Sequence, residues 1–119
     1  SGLLQGVRQS KISVKRAEKV TLDFLKKYTQ AKKSPLCGNS VHHDRRFLER
    51  YMSKIHDHLH YRHVDVSTIK ALIQYWYPSR KRVYKKVNAH RALDDIRESI
   101  EELRHYRKKY FRHRASYSK

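Results

Sequence analysis

The sequence predicts an α/β fold that is mostly helical, with two or so short strands forming the edge of a larger sheet. Three observations point there. Apolar residues recur at helical spacing along most of the chain, from Val14 to Tyr28, Phe47 to Leu59, Ile69 to Trp76 and Ala92 to Tyr110. Two short runs, Leu36-Cys37-Gly38-Asn39 and Arg62-His63-Val64-Asp65, read as strands instead. Two short strands do not make a stable sheet alone, since a third strand or a helical cover is needed. The remaining strands are therefore expected outside these residues.

Each element has a local signature. The first helix uses Val14, Ala17, Thr21, Phe24, Leu25 and Tyr28 as its apolar face, with Ser13 as N-cap. Lys32-Lys33-Ser34-Pro35 breaks it, and the run from Leu36 reads as a short buried strand. Phe47, Leu48, Tyr51, Met52, Ile55 and Leu59 mark the second helical face, kinked near Ser53. After the second strand, Ser67 caps a helix through Ile69, Leu72, Ile73 and Trp76, which Pro78 ends. Residues 79–88 form a basic loop. The last helix is the clearest, through Ala92, Leu93, Ile96, Ile100, Leu103, Tyr106 and Tyr110.

A chain of 119 residues with 38% apolar content suits one domain with a modest core. Its 29 Lys and Arg against 11 Asp and Glu give a formal charge of +18, a field that attracts polyanions. Nucleic acid is the natural partner, because each neutralised phosphate releases counterions. The plain alternative is a solvated basic surface. Cys37 is the only cysteine, which excludes an intrachain disulfide and a zinc–thiolate cluster and suits a reducing interior. No apolar run approaches the roughly 20 residues of a membrane span, and no secretory or transit signal is recognisable. An intracellular location, cytoplasm or mitochondrial matrix, is expected.

Two constellations carry candidate chemistry. In Cys37-Gly38-Asn39-Ser40-Val41-His42-His43-Asp44 a strand runs into a polar turn and places Asp44 at the start of a helix. In His90-Arg91-Ala92-Leu93-Asp94-Asp95 the five-residue spacing puts His90 in the entry to the last helix and Asp95 more than one turn inside it. Asp44 and Asp95 are the acids expected to converge. By spacing alone, each could equally be a first-turn acid that stabilises its helix N-terminus. His56, His58 and His60 alternate and His63 follows three residues on, but no acids or thiols complete a metal site around them. They read as surface and interface histidines.

Three long stretches change the balance: SPLCGNSVHHDRRFL at Ser34–Leu48, HYRHVDVSTIK at His60–Lys70 and HRALDDIRESIEELRHY at His90–Tyr106. Tyr51-Met52 falls between the first two, and Trp76-Tyr77-Pro78 follows the second. From Gly2 to about Phe111 the chain resembles the oligoribonuclease family, in the DEDD exonuclease superfamily with a catalytic histidine. Matches this extended and in this order are far more specific than one short motif.

The resemblance implies a partial ribonuclease H-like exonuclease fold, with domain bounds of 1–112 and a basic tail over 113–119. It implies 3′→5′ removal of nucleotides from very short RNAs with two divalent metals, Mg²⁺ or Mn²⁺, held by four carboxylates. Two of these come from an Asp-x-Glu on the first strand, the third matches Asp44 and the fourth matches Asp95. His90 matches the general base that deprotonates the attacking water. Tyr61 matches a tyrosine that reaches from one subunit of a homodimer into the active site of the other. On its own, Tyr61 is as readily an aromatic packed at a strand edge.

Two features depart from the family pattern. No Asp-x-Glu occurs in these 119 residues, so the chain alone is expected to be inactive and to lack the sheet's central strands. The basic residues Arg80, Lys81, Arg82, Lys85, Lys86, Arg107, Lys108, Lys109, Arg112 and Arg114 exceed what a substrate of few phosphates requires. Three readings follow: part of a working exonuclease, an inactive homologue serving as a basic RNA-binding subunit of a large ribonucleoprotein such as a mitochondrial ribosome, or a structural interaction module.

Overall fold

A computed structural model describes residues 9–78 and 91–113. The chain divides into two compact units, Ser1–Val64 and Asp65–Lys119.

Within the first unit, helix α1 covers Val14–Tyr28, where the Ser13 hydroxyl accepts the Arg16 N–H at 3.1 Å. The helix stops at Thr29, whose backbone is extended and whose N–H still reaches the Leu25 carbonyl. A turn containing left-handed Lys32 (φ 65°) leads into strand β1, Leu36–Gly38. Helices α2, Val41–Tyr51, and α3, Ser53–His58, follow, and strand β2 covers His63–Asp65 at the unit's boundary. The two strands pair as a parallel two-stranded sheet. The expected kink is a break between α2 and α3 at Met52, whose φ of −139° and ψ of 58° leave the helical region.

Met52 offers α3 no side-chain cap. Glu18 of α1 takes over, its Oε2 accepting the N–H groups of Lys54 at 3.0 Å and Ile55 at 3.5 Å. The same side of α1 supplies Leu22 to a core with Ile55 and Leu59, against which Leu25, Leu36, Leu48 and Met52 pack. Full burial of a side chain such as Leu22, Ile55 or Leu59 is worth about 1.5–3 kcal/mol, and the partly buried ones contribute less.

Three expectations for this unit are corrected. Val14, Thr21, Phe24 and Tyr28 are exposed, so the stripe read as the buried face of α1 lies beside the packed one. Strand β1 is half-buried, with Cys37 exposed, because a two-stranded sheet has little to cover its faces. His58 is buried rather than on the surface. Thr29 donates its one hydroxyl proton to the Leu25 carbonyl at 2.6 Å, so at 2.9 Å the His58 Nε2 must donate to Thr29 Oγ1. The His58 carbonyl also accepts the Lys32 N–H, which ties α3 to the turn before β1.

The second unit holds helices α4, Val66–Trp76, and α5, Ala92–Tyr110. The cap of α4 is Asp65, not Ser67: the Asp65 carboxylate accepts the Ser67 N–H at 2.9 Å from an extended residue before the helix. Helix α4 ends at Trp76, two residues before Pro78. Val66, Glu102 and Tyr106 are buried, and the Tyr106 hydroxyl donates to the Glu102 carboxylate at 2.6 Å. That bond offsets part of the cost of burying a carboxylate. Leu93, Ile96 and Ile100, expected on the buried face of α5, are exposed, and its burial begins further along the helix. The basic loop expected over residues 79–88 lies outside the described residues.

Candidate active site

Asp44 is an exposed residue in the first turn of α2, and its carboxylate engages no other described residue. A tight corner puts it there. Strand β1 ends at Gly38, and Ser40 turns the chain through the left-handed region at φ 53° and ψ 47°. A non-glycine residue in that conformation costs about 1–2 kcal/mol. Val41 is 1% exposed, and a Cβ at position 38 would lie 3.1 Å from its Cγ1. Glycine is what allows the strand end and the helix start to approach so closely.

Asp95 is likewise exposed and in a first turn, that of α5, beside Asp94. The expectation that it lies more than one turn inside is corrected, because the helix starts only at Ala92, after an Arg91 that provides no side-chain cap. Both acids sit where the helix dipole favours a carboxylate by about 0.3–1 kcal/mol, which gives each a structural role in its helix. Asp44 belongs to the first unit and Asp95 to the second. His90 lies outside the described residues.

Tyr61 stands two residues before β2 and is 75% exposed, so among the described residues it is not packed at the strand edge. Its ring stacks on His60 at 4.5 Å between centroids, and the Arg62 guanidinium lies 5.5 Å from its centroid. The backbone beneath it is tied down. His60 N–H donates to the Ser34 carbonyl at 2.9 Å, and Arg62 N–H donates to His60 Nδ1 at 2.9 Å. Arg45, next to Asp44 on α2, donates from Nη2 to the carbonyls of His60 at 3.2 Å and Arg62 at 3.4 Å. Arg45 and Glu18 escaped sequence reasoning because one reads as a basic helix residue and the other as a lone acid.

Of the remaining histidines, His56 lies 3.6 Å from the Asp57 carboxylate and 3.5 Å from Arg45 Nη1, and His63 is exposed. Among the described residues no group of three or more His, Cys, Asp or Glu is placed to hold a metal ion. The carboxylates of Asp44 and Asp95 are each exposed and engage no other described residue, and hard oxygen donors of this kind suit Mg²⁺ or Mn²⁺. Of the expected RNA-binding residues, Arg107, Lys108 and Arg112 are exposed, while Lys109 is half-buried with its Nζ 5.8 Å from the Tyr110 ring centroid. Arg80, Lys81, Arg82, Lys85, Lys86 and Arg114 lie outside the described residues. Among the described residues no helix is long and apolar enough to cross a membrane.

The family model described as Exonuclease matches residues 5–103, a span that takes in Asp44, Tyr61, His90 and Asp95. The chain is 53% identical over 107 residues to the oligoribonuclease of Ruthia magnifica, covering 90% of this chain and 59% of that protein. It is 51% identical over 112 residues to the oligoribonuclease of Haemophilus ducreyi, covering 94% and 61%. With the oligoribonuclease of Coxiella burnetii it shares 55% identity over 107 residues, covering 90% and 58%. The chain thus spans about 60% of the length of these curated relatives. The match over most of its length shows that this chain belongs to the exonuclease family, where it is similar to oligoribonucleases.

Proposed function

We propose that this chain contributes the Asp44, His90 and Asp95 part of a 3′→5′ exoribonuclease site that degrades very short RNAs. The observation that carries the reading is the exonuclease match across residues 5–103, which spans all three positions. The exposed, unengaged carboxylates of Asp44 and Asp95 support it. In this reading residues 1–112 are part of a ribonuclease H-like exonuclease domain, residues 113–119 are its basic tail, and the protein works as a homodimer inside the cell.

Asp44 and Asp95 would hold Mg²⁺ or Mn²⁺ together with an Asp-x-Glu pair, which these 119 residues do not contain. When bound, such a metal pair supplies Lewis-acid polarisation and charge neutralisation at the scissile phosphodiester. His90 would take the proton of the attacking water, a task that imidazoles as a class suit near neutral pH. Tyr61 contacts substrate in the neighbouring subunit. Arg80, Lys81, Arg82, Lys85, Lys86, Arg107, Lys108, Lys109, Arg112 and Arg114 draw in the RNA backbone. The ribonucleoprotein alternative gains nothing from the relatives named above, each of which is called an oligoribonuclease.

Complementation tests the reading. The 119-residue chain is expected to leave a short RNA intact with Mg²⁺ or Mn²⁺. Supplying an Asp-x-Glu first strand in cis or in trans should restore cleavage, and His90→Ala should then reduce it by about 10²–10⁴-fold. Metal-dependent cleavage by the chain alone, or no loss on His90→Ala, would sink the proposal.

A further inference from the structure

Arg45 is placed unlike the other basic residues of this unit. It follows Asp44 on α2 and is half-buried. Its Nη2 serves the two carbonyls that flank Tyr61, those of His60 and Arg62, while Nη1 lies 3.5 Å from His56 Nε2. It makes no ion pair with a described residue, and its Nε is buried without a hydrogen-bond partner. A buried, unsatisfied donor is unfavourable, because it gives up its hydrogen bond to water for nothing. The guanidinium is thus held at some cost, and what it holds is the backbone on either side of one exposed ring.

The other ties act on the same three residues: His60 N–H on the Ser34 carbonyl and Arg62 N–H on His60 Nδ1. The backbone from His60 to Arg62 is therefore fixed while the Tyr61 side chain stands 75% exposed. Exposure here is presentation rather than looseness. The anchor of that presentation is a helix residue covalently adjacent to Asp44, and a planar guanidinium transmits orientation in a way a lysine ammonium does not.

We propose that Arg45 is a positioning residue that aims Tyr61 out of its own protomer, acting through the backbone of residues 60–62. The inference rests on the reading above, in which Asp44 binds metal in its own site and Tyr61 enters the neighbouring one. One turn of α2 then fixes a ligand of one active site and the tyrosine given to the other. A defect at Arg45 should accordingly appear in the partner's site, not in its own.

The test uses the chain completed with an Asp-x-Glu strand in cis and a two-nucleotide RNA as substrate. Arg45→Gln and Tyr61→Ala should each raise KM about tenfold with little change in kcat, since about 1.4 kcal/mol of substrate binding is lost. The double variant should be no worse than Tyr61→Ala alone, as expected when one residue acts through another. Mixing Arg45→Gln with inactive Asp44→Asn protomers should yield mixed dimers with ordinary KM, because their one competent site receives its tyrosine from an intact Arg45. Should Arg45→Gln disturb folding, Arg45→Lys repeats the comparison with the charge kept. Faster hydrogen exchange at the Arg62 amide, with Ile55 unchanged, should report the loosened segment in the 119-residue chain.

Multiplying effects in the double variant, or mixed dimers that keep the raised KM, would overturn the role assigned to Arg45. An unchanged KM in Arg45→Gln would do the same if Tyr61→Ala raises it. If Tyr61→Ala itself changes nothing, the substrate role of Tyr61 fails first and the Arg45 proposal goes with it.

Discussion

Two neighbouring faces of α1 have met different fates. One carries Glu18, Leu22 and Leu25, and it packs on α3 with Ile55 and Leu59. The other carries Phe24 and Tyr28, which are 61% and 66% exposed and touch each other at 4.9 Å between ring centroids. The two are roughly 120° apart at 100° per residue, so one helix offers apolar surface to two sides. Periodicity measures how apolar a face is and says nothing about whether its cover lies in the same 119 residues. The aromatic face dominates the sequence pattern, yet the aliphatic one forms this unit's core.

The largest effect should come from the packed face. Leu22→Ala removes a side chain that is 9% exposed and touches the core. It should destabilise the first unit by about 2–3 kcal/mol, the low end of the usual range because so small a core can partly collapse. Urea unfolding of the 119-residue chain measures it. A loss below about 0.5 kcal/mol would mean that the Leu22 side of α1 is not the structural one.

Next comes the polar contact on the same face. Glu18→Ala leaves the first N–H groups of α3 without their acceptor and should cost about 1–2 kcal/mol, as loss of a charged N-cap does. Hydrogen exchange at Lys54 gives a local reading, with its amide losing protection while those in the middle of α1 keep theirs. Unchanged protection at Lys54 would show that the cap is not maintained in solution.

What could be read from the sequence follows the same division. Local chemistry was legible: Ser13 caps α1, the helix break falls at Met52 beside the expected Ser53, and α5 runs on to Tyr110. Contacts distant in sequence were not. Glu18 caps a helix 36 residues away, Arg45 reaches carbonyls 15 and 17 residues on, and His58 pairs with Thr29 across 29 residues. No periodicity encodes such bonds. Asp65 displaced Ser67 as the cap of α4 because either residue type can fill that position and only backbone geometry decides. At the candidate site, the first-turn position of Asp44 was legible from its turn residues. The depth of Asp95 was not, because Arg91 carries no capping signal that fixes where α5 begins.

The smallest effect should come from the exposed face, and it sharpens the comparison most. Phe24→Ser in the 119-residue chain alone should change stability by less than about 0.5 kcal/mol, since a ring that is 61% exposed has little burial to lose. The same substitution should cost about 3 kcal/mol or more once an Asp-x-Glu segment is supplied and its strands cover the stripe, as for a large-to-small change in a core. The contrast separates a solvated surface from a core face awaiting its cover. A cost above about 2 kcal/mol in the isolated chain, growing with protein concentration, would mean that copies of the chain already bury Phe24 against one another. The two faces of α1 would then both be packed in solution, and the comparison would fail. An equally small cost with the strands supplied would place the added sheet elsewhere and leave the Phe24–Tyr28 face as ordinary surface.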